Sequence, residues 1–417
     1  MTSRQKALTS ASLAYKSLLT SEDPDNVYLD VLITNVGSFT TSPLPISFNE
    51  ARQSAFLRKP EDYEMSIIRF QCDTSTLPVF IPVIQPNQNN VNLTVYSITM
   101  TYLPPGGGVT VPYIYQQPLI FVPQNTSVTV PPPPSSTTNG LQSPSSYYYY
   151  YNYQSFIYLV YEAFTKCFNA LNALVPGGLP STLAPTINWD ISNNTAVIFC
   201  ETPYYNTSQA DNITPNPNNI RIYFNTPLYY LFNSFVFLNR GDSSSNGMNY
   251  ELVVGSFGVN QVYIPVTEVA PAAKLCNALY QEYSTTSLWT PVSSLCFTTT
   301  LLPIVPTQLT APLIYNELSV IQSMNNTNSP NANFINQITD IILFGDQYVP
   351  SVIYNPTAQY RFISMNGSQP LNQIDIQVYW KDRYGNFIPL TLESGGSCSL
   401  KIYFRKKRYM IQDKDSN

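Results

Sequence analysis

Short apolar runs, cut at close intervals by proline, asparagine and glycine, limit this chain more than any other feature. "VYLDVLITNV", "LPISF", "EMSIIRF", "LPVFIPVI" and "NLTVYSITMTYL" are rich in Val, Ile, Thr and Tyr. Such side chains suit a pleated, half-buried surface, and turn residues between them predict a β-sandwich or barrel. Two later runs alternate strictly. In "IDIQVYW", Ile374, Ile376, Val378 and Trp380 face one way and Asp375, Gln377 and Tyr379 the other; "KDRYGN" is the turn that follows, with Gly385-Asn386 at its tip. In "CSLKIYF", Cys398, Leu400, Ile402 and Phe404 point inward. Period two with one wet face describes an antiparallel sheet.

One segment departs from this pattern. From Ser155 to Leu174, Phe156, Val160, Ala163, Cys167, Leu171 and Leu174 recur at spacings of three and four, which predicts a helix with one apolar face. Glu162 and Lys166 form a favourable i,i+4 pair on it, and "PGG" at 176–178 stops it. A second, shorter helix is expected over Leu228–Phe237, and a third over Ala7–Leu19 in a polar N-terminal arm. "YYYYYNYQ", starting at Tyr147, reads equally as a strand edge or an interface patch.

A chain of 417 residues is long for one hydrophobic core. One phrase is also written twice. "CDTSTLPVFIP" (Cys72–Pro82) and "FTTTLLPIVP" (Phe297–Pro306) each follow a serine and an apolar run, and each closes on Leu-Pro, apolar residues and Pro. Read as a duplication, the phrase predicts an arm at 1–26, a first jelly roll over 27–260 with a helical insert at 153–175, a second over 261–410, and a polar tail at 411–417. Phe70 and Phe297 then hold equivalent places in two sandwiches. Leu77-Pro78 and Leu302-Pro303 sit at equivalent corners, because proline cannot donate to a central ladder and belongs at a strand end.

Charged residues make up 11% of the chain, where about a quarter is usual, so the surface is built from Asn, Gln, Ser, Thr and 32 tyrosines. That surface suits a molecule with many broad contacts, or an adhesive β-protein. The net charge of -5 and the lack of a basic arm argue against strong nucleic-acid binding. The exception is Arg405-Lys406-Lys407-Arg408, which reads as a solvated strand end, a nuclear-import signal or a contact with an anionic interior.

Histidine is absent, which removes Ser-His-Asp and Cys-His catalysis, histidine metal sites and histidine pH switching. The six cysteines are scattered without a metal-type pair, so buried free thiols in a reducing compartment are expected. No enzyme, cofactor or metal is therefore expected. "SEDPDN" (Ser21–Asn26) lacks calcium-loop spacing and reads as a turn. No run of about 18 apolar residues predicts a transmembrane segment, and no apolar signal core predicts secretion. Arg240-Gly241-Asp242 reads either as a plain turn or as a tripeptide for an integrin-type receptor.

Two stretches, "RKPEDYEMSIIRFQCDTSTLPVFIPVIQPN…NLTVYSITMTY" (Arg58–Tyr102) and "IDIQVYWKDRYGNFIPLTLESGGSCSLKIYFRKK" (Ile374–Lys407), resemble jelly-roll capsid proteins of small eukaryotic DNA viruses of the polinton-like and adintovirus-like group. The resemblance implies an all-β double jelly roll, two antiparallel β-sandwiches in one chain with a helical insert. It also implies a shell protein that self-assembles, as a homotrimer and with other capsid proteins, in a virion made in the host cytoplasm or assembled in the nucleus. The chain is short for that class. One elaborated jelly roll, as in a minor capsid or penton protein, stays open, as does a spike or lectin-like sandwich that binds a receptor or glycan.

Overall fold

The computed structural model describes residues 24–36, 43–86, 89–105, 110–134, 144–202, 204–205, 219–241, 246–255, 261–266, 274–305, 313–316, 319–323, 336–343, 350–355 and 361–407. The expected arm helix, Asp242, Arg408 and the tail at 411–417 lie outside them.

Along the chain come β1 (Asn26–Thr34), β2 (Leu44–Pro45), β3 (Ser47–Ala51) and β4 (Tyr63–Asp73). Next are β5 (Leu93–Tyr102), β6 (Tyr113–Ile120), helix α1 (Tyr153–Leu174), β7 (Thr186–Asp190), β8 (Thr195–Glu201), β9 (Arg221–Phe224) and helix α2 (Thr226–Leu231). They lead to β10 (Phe237–Asn239), β11 (Tyr250–Leu252), β12 (Gln261–Val266), β13 (Lys274–Tyr280) and the short α3 (Thr286–Trp289). The chain closes with β14 (Val292–Thr299), β15 (Leu313–Asn316), β16 (Ser319–Ser323), β17 (Asn336–Ile342), β18 (Ser351–Tyr354), β19 (Ile363–Ser364), β20 (Gln373–Asp382), β21 (Phe387–Pro389), β22 (Thr391–Leu392) and β23 (Ser397–Lys406).

The fold is all-β, with two antiparallel sandwiches in one chain. One takes its strands from both ends of the sequence. Its first sheet runs β1-β23-β4-β18, and its second contains β3 on β20, β20 on β14 and β14 on β17. Numbered in chain order, β1, β3, β4, β14, β17, β18, β20 and β23 pair first with last, second with seventh, third with sixth and fourth with fifth, all antiparallel. A long hairpin wound into two facing sheets gives this pattern, which is the jelly roll. The other sandwich is inserted between the third and fourth of those strands. Its sheets run β10-β11-β9-β5-β6 and β12-β13-β8-β7.

This nesting corrects the expected boundary at 260/261. β13 pairs with β8, inside the inserted sandwich, while β4 pairs with β23. The repeated phrase does not mark a duplicated domain either. Phe70 and Phe297 lie on the two facing sheets of a single sandwich, with ring centroids 4.7 Å apart at 83°. The corner logic holds locally, since Leu77 and Leu302 are both buried in that same core. Local patterns set each strand and corner. Which distant strands pair is set by cross-strand burial that no local phrase encodes.

Helix α1 packs on β5, β6 and β7. It starts at Tyr153, where the Asn152 side chain caps the Ser155 N–H at 2.9 Å. Phe156, Val160, Ala163, Cys167 and Leu171 are buried as expected; Leu174, expected on the same face, is half-exposed at the last turn. The second expected helix is shorter and earlier. It spans α2, capped by Asn225 on Leu228, and Phe237 already begins β10.

On β20, Ile374, Ile376, Val378 and Trp380 face the core, but Asp375 and Tyr379 are not on a wet face. Tyr379 packs with Cys296, Ile314 and Phe387, and Asp375 accepts hydrogen bonds from the loop at Thr299–Leu301. On β23 the expected inward set is fully buried.

The tyrosine run is neither a strand edge nor a surface patch. It bolts the two sandwiches together. Tyr150 exchanges backbone hydrogen bonds with the segment leaving β4, as Val79 N–H donates to Tyr150 O and Tyr150 N–H to Phe80 O. Tyr147, Tyr148 and Tyr150 enter the inserted core, whereas Tyr149 enters the jelly-roll core 6.1 Å from Trp380.

Candidate assembly surface

The outward face of the β1-β23-β4-β18 sheet is ordered in rows by strand register. Tyr28 lies opposite Tyr403, Asp30 opposite Lys401 and Leu32 opposite Ser399; Lys401 and Ser399 in turn lie opposite Arg69 and Gln71. The sheet's other end adds Ile353, opposite Gln71. Tyr28 and Tyr403 stack at 4.6 Å and 3°. Asp30 sits between two cations, 2.9 Å from Arg69 and 3.4 Å from Lys401. Leu32 and Ile353 are 68% and 66% exposed, so apolar side chains stand at both ends of a face whose charges already have partners. A partner meeting this face desolvates few unpaired charges, which lowers the cost of contact.

The basic run ends β23. Arg405 grips Glu64 at 2.7 Å through Nε and lies over the Phe362 ring at 4.0 Å. Lys406 N–H donates to Asp25 O, and Lys407 Nζ donates to the carbonyls of Glu61 and Met365. Arg405 and Lys407 are thus engaged within the fold.

Arg240 and Gly241 leave β10. Arg240 Nε is 2.7 Å from Oε2 of Glu251, a carboxylate with no exposed surface; Arg221 is 3.9 Å from its other oxygen. Gly241, at φ +99°, donates to the Asn239 side chain and accepts from the Asn249 amide. The guanidinium of the tripeptide is therefore held by a buried carboxylate, with the Arg240 side chain still 36% exposed. Nothing local in the sequence signals this, because its partner comes from the next strand.

All six cysteines are free and buried, and the described residues include no cluster of three or more metal-ligating side chains. Burial pushes Cys167 up to about 12 and Cys296 to about 11, so these thiols are packing groups. No helix among the described residues is long and apolar enough to cross a membrane.

The model of one protein family, the Sputnik minor capsid protein V18/19, matches residues 27–406. The chain belongs to that family. Structural protein V19 of Sputnik virophage is 26% identical over 232 residues, covering 54% of this chain and 97% of that protein. An uncharacterized protein V18 of the same virophage is 32% identical over 169 residues, 39% of this chain and 95% of that one. A chain in the 3.5 Å cryo-EM structure of the Sputnik virophage superposes with a TM-score of 0.72 at 26% identity, over 93% of this chain and 100% of that one. The selenomethionine-labelled mavirus penton protein shares the fold at 14% identity, with a TM-score of 0.54 over 92% of this chain and 100% of that one. The chain is a capsid structural protein of the virophage type, in line with the resemblance its strands carry.

Proposed function

We propose that this V18/19-family protein is a minor, penton-like shell subunit that assembles into a ring of five copies and joins other capsid proteins in the virion. The observation behind this reading is that the described strands complete one first-with-last jelly-roll pairing, into which the second sandwich is inserted. The homotrimer expected from the sequence fills six lattice positions with two such rolls per chain. With one such roll among the described strands, closed fivefold symmetry is the simplest ring that fits a lattice vertex. The mavirus penton protein, with the same fold, supports the same reading. Native mass spectrometry of the purified protein is the test. A species near five times 46.8 kDa is expected; a stable trimer would return the reading to the trimeric capsomer, and a strict monomer at high concentration would remove self-assembly.

The role is structural and not catalytic, since the chain has no histidine for acid–base work near neutral pH. The rival receptor reading needs Arg240 to leave a fully buried carboxylate, which disfavours it. Nuclear import through Arg405–Arg408 would likewise have to compete with Glu64 and Phe362 for Arg405.

A further inference from the structure

We infer that Cys72 and Cys398 are the site of an intrachain disulfide that forms when the protein leaves a reducing compartment. Cys72 is the penultimate residue of β4 and Cys398 the second of β23, and the register sets them directly opposite each other. Both point into the jelly-roll core and are fully buried. Directly opposed residues on antiparallel strands have Cα atoms about 4.5–5.5 Å apart, inside the disulfide range of about 4.4–6.8 Å. The Cys72 thiol donates to a backbone carbonyl, Asp73 O at 3.1 Å, at the very end of its strand.

No other two cysteines share this geometry. Cys276 lies opposite Glu201 and Cys200 opposite Asn277, one residue out of step, so their side chains take opposite faces of the sheet. Only Cys72 and Cys398 are cross-strand partners among the described strands.

The chemistry balances with a small-molecule disulfide such as oxidised glutathione as the electron acceptor. The Cys398 thiolate attacks a glutathione sulfur, releases one glutathione thiolate and forms a mixed disulfide. The Cys72 thiolate then attacks Cys398 Sγ and releases the second. One S–S bond breaks and one forms; two protein thiols are oxidised and two glutathione thiols appear. The Cys398 side chain beside it, and after that burial, push the Cys72 thiol far up, so the closed pair is inert. Access comes by fraying. The pair lies one residue from the end of both strands, beside the turn in which Gly396 N–H donates to Glu393 O, and ladder ends open most readily. Once formed, the bond closes a covalent ring that contains the whole inserted sandwich.

The test oxidises the full-length protein with oxidised glutathione at about pH 8.5, where an unperturbed thiol is about half ionised. Thiols are then alkylated under denaturing conditions and peptides mapped without reductant. The expected product has two fewer alkylated cysteines than the reduced chain, one Cys72–Cys398 cross-linked peptide, and a higher melting temperature that dithiothreitol reverses. A mild-urea arm opens the ladder end. A chain that still alkylates at all six cysteines there, that carries only glutathione adducts, or that links a different pair would overturn the inference. The wild-type map decides alone; Cys398→Ser, if it folds, should lose both the cross-link and the reductant-sensitive shift.

Discussion

In the jelly roll, Asn26 pairs with Arg405 and Cys72 with Cys398, so its first sheet cannot form until both ends of the chain meet. In the inserted sandwich, β5–β6, β7–β8, β10–β11 and β12–β13 are each neighbours in sequence. The cores differ as well. The jelly-roll core is mainly aliphatic around the Phe70–Phe297 pair, whereas the insert gathers Phe156, Phe232, Phe80 and Trp289 around one helix. Charge differs too. Between Val79 and Trp289 the cations are Lys166, Arg221, Arg240 and Lys274, and each contacts a carboxylate. The insert is a locally closed body poor in cations, with 4 Lys/Arg against 8 Asp/Glu; the jelly roll is a long-range closure, and the chain outside the insert carries 16 Lys/Arg that nearly balance its 17 Asp/Glu. Contacts between distant segments are slow to form and are lost together when the chain is cut.

The largest expected effect follows from that contrast. Residues 79–289 expressed alone should fold and melt cooperatively, because every strand pairing of the insert lies within them. Residues 27–78 or 290–407 alone should not fold, since each half leaves the first sheet unpaired. Circular dichroism melts of the three pieces check this. An unfolded insert, or a folded half, breaks the nested description.

Point truncations sharpen it. Phe297→Ala should destabilise the jelly roll by about 3–5 kcal/mol, and Leu171→Ala the insert by about 2–4 kcal/mol. Both residues are fully buried. In chemical denaturation, Phe297→Ala should lower the jelly-roll transition and Leu171→Ala that of the insert. If both variants shift one shared transition equally, the tyrosine bolt couples the two sandwiches into a single unit.

Strand identity and the α1 face were legible because alternation and helical spacing are local. The nesting was not. "CDTSTLPVFIP" and "FTTTLLPIVP" look alike because each sends a leucine into a core and turns out at proline, and the sequence does not say that both leucines enter the same core. The buried Asp375 and the Arg240–Glu251 pair were hidden for the same reason, as their partners lie on other strands or loops. The tyrosine run left two readings open. Its alternation between two cores becomes visible only when both cores exist. As for the assembly face, each half of the Tyr28–Tyr403 stack reads as an ordinary half-exposed tyrosine until the register joins them.

As pH rises, the buried cysteines, with an unfolded value of about 8.5, respond first and the buried tyrosines, those of the bolt among them, respond next. Burial holds Tyr149 well above the usual tyrosine value, and burial together with Tyr147 raises Tyr148 to about 12. Folded values above the unfolded value of about 10 mean that the neutral form is favoured in the fold. The stability they contribute is full below pH 10 and is lost as pH rises beyond it. With no histidine, stability should stay level from about pH 6 to 8. A melting-temperature series against pH checks both limbs. A step near pH 6.5 would show a titrating group that this reading lacks.

The smallest effect tests what the bolt is made of. Tyr150 is almost fully buried, its ring parallel to that of Phe80 at 6.3 Å, and its hydroxyl donates to Val122 O at 3.1 Å. Tyr150→Phe removes the hydroxyl and keeps the ring, so it should cost about 0.5–1.5 kcal/mol, the net worth of one hydrogen bond. Val79, Phe80, Val122 and Tyr150 all lie within residues 79–289, so the variant should lower the insert's transition and leave the Tyr149–Trp380 contact with the jelly roll untouched. If it lowers the jelly-roll transition by as much, the two sandwiches melt as one unit. Tyr149→Leu, which removes the ring contact with Trp380 in the jelly-roll core, should loosen the junction more than Tyr150→Phe does.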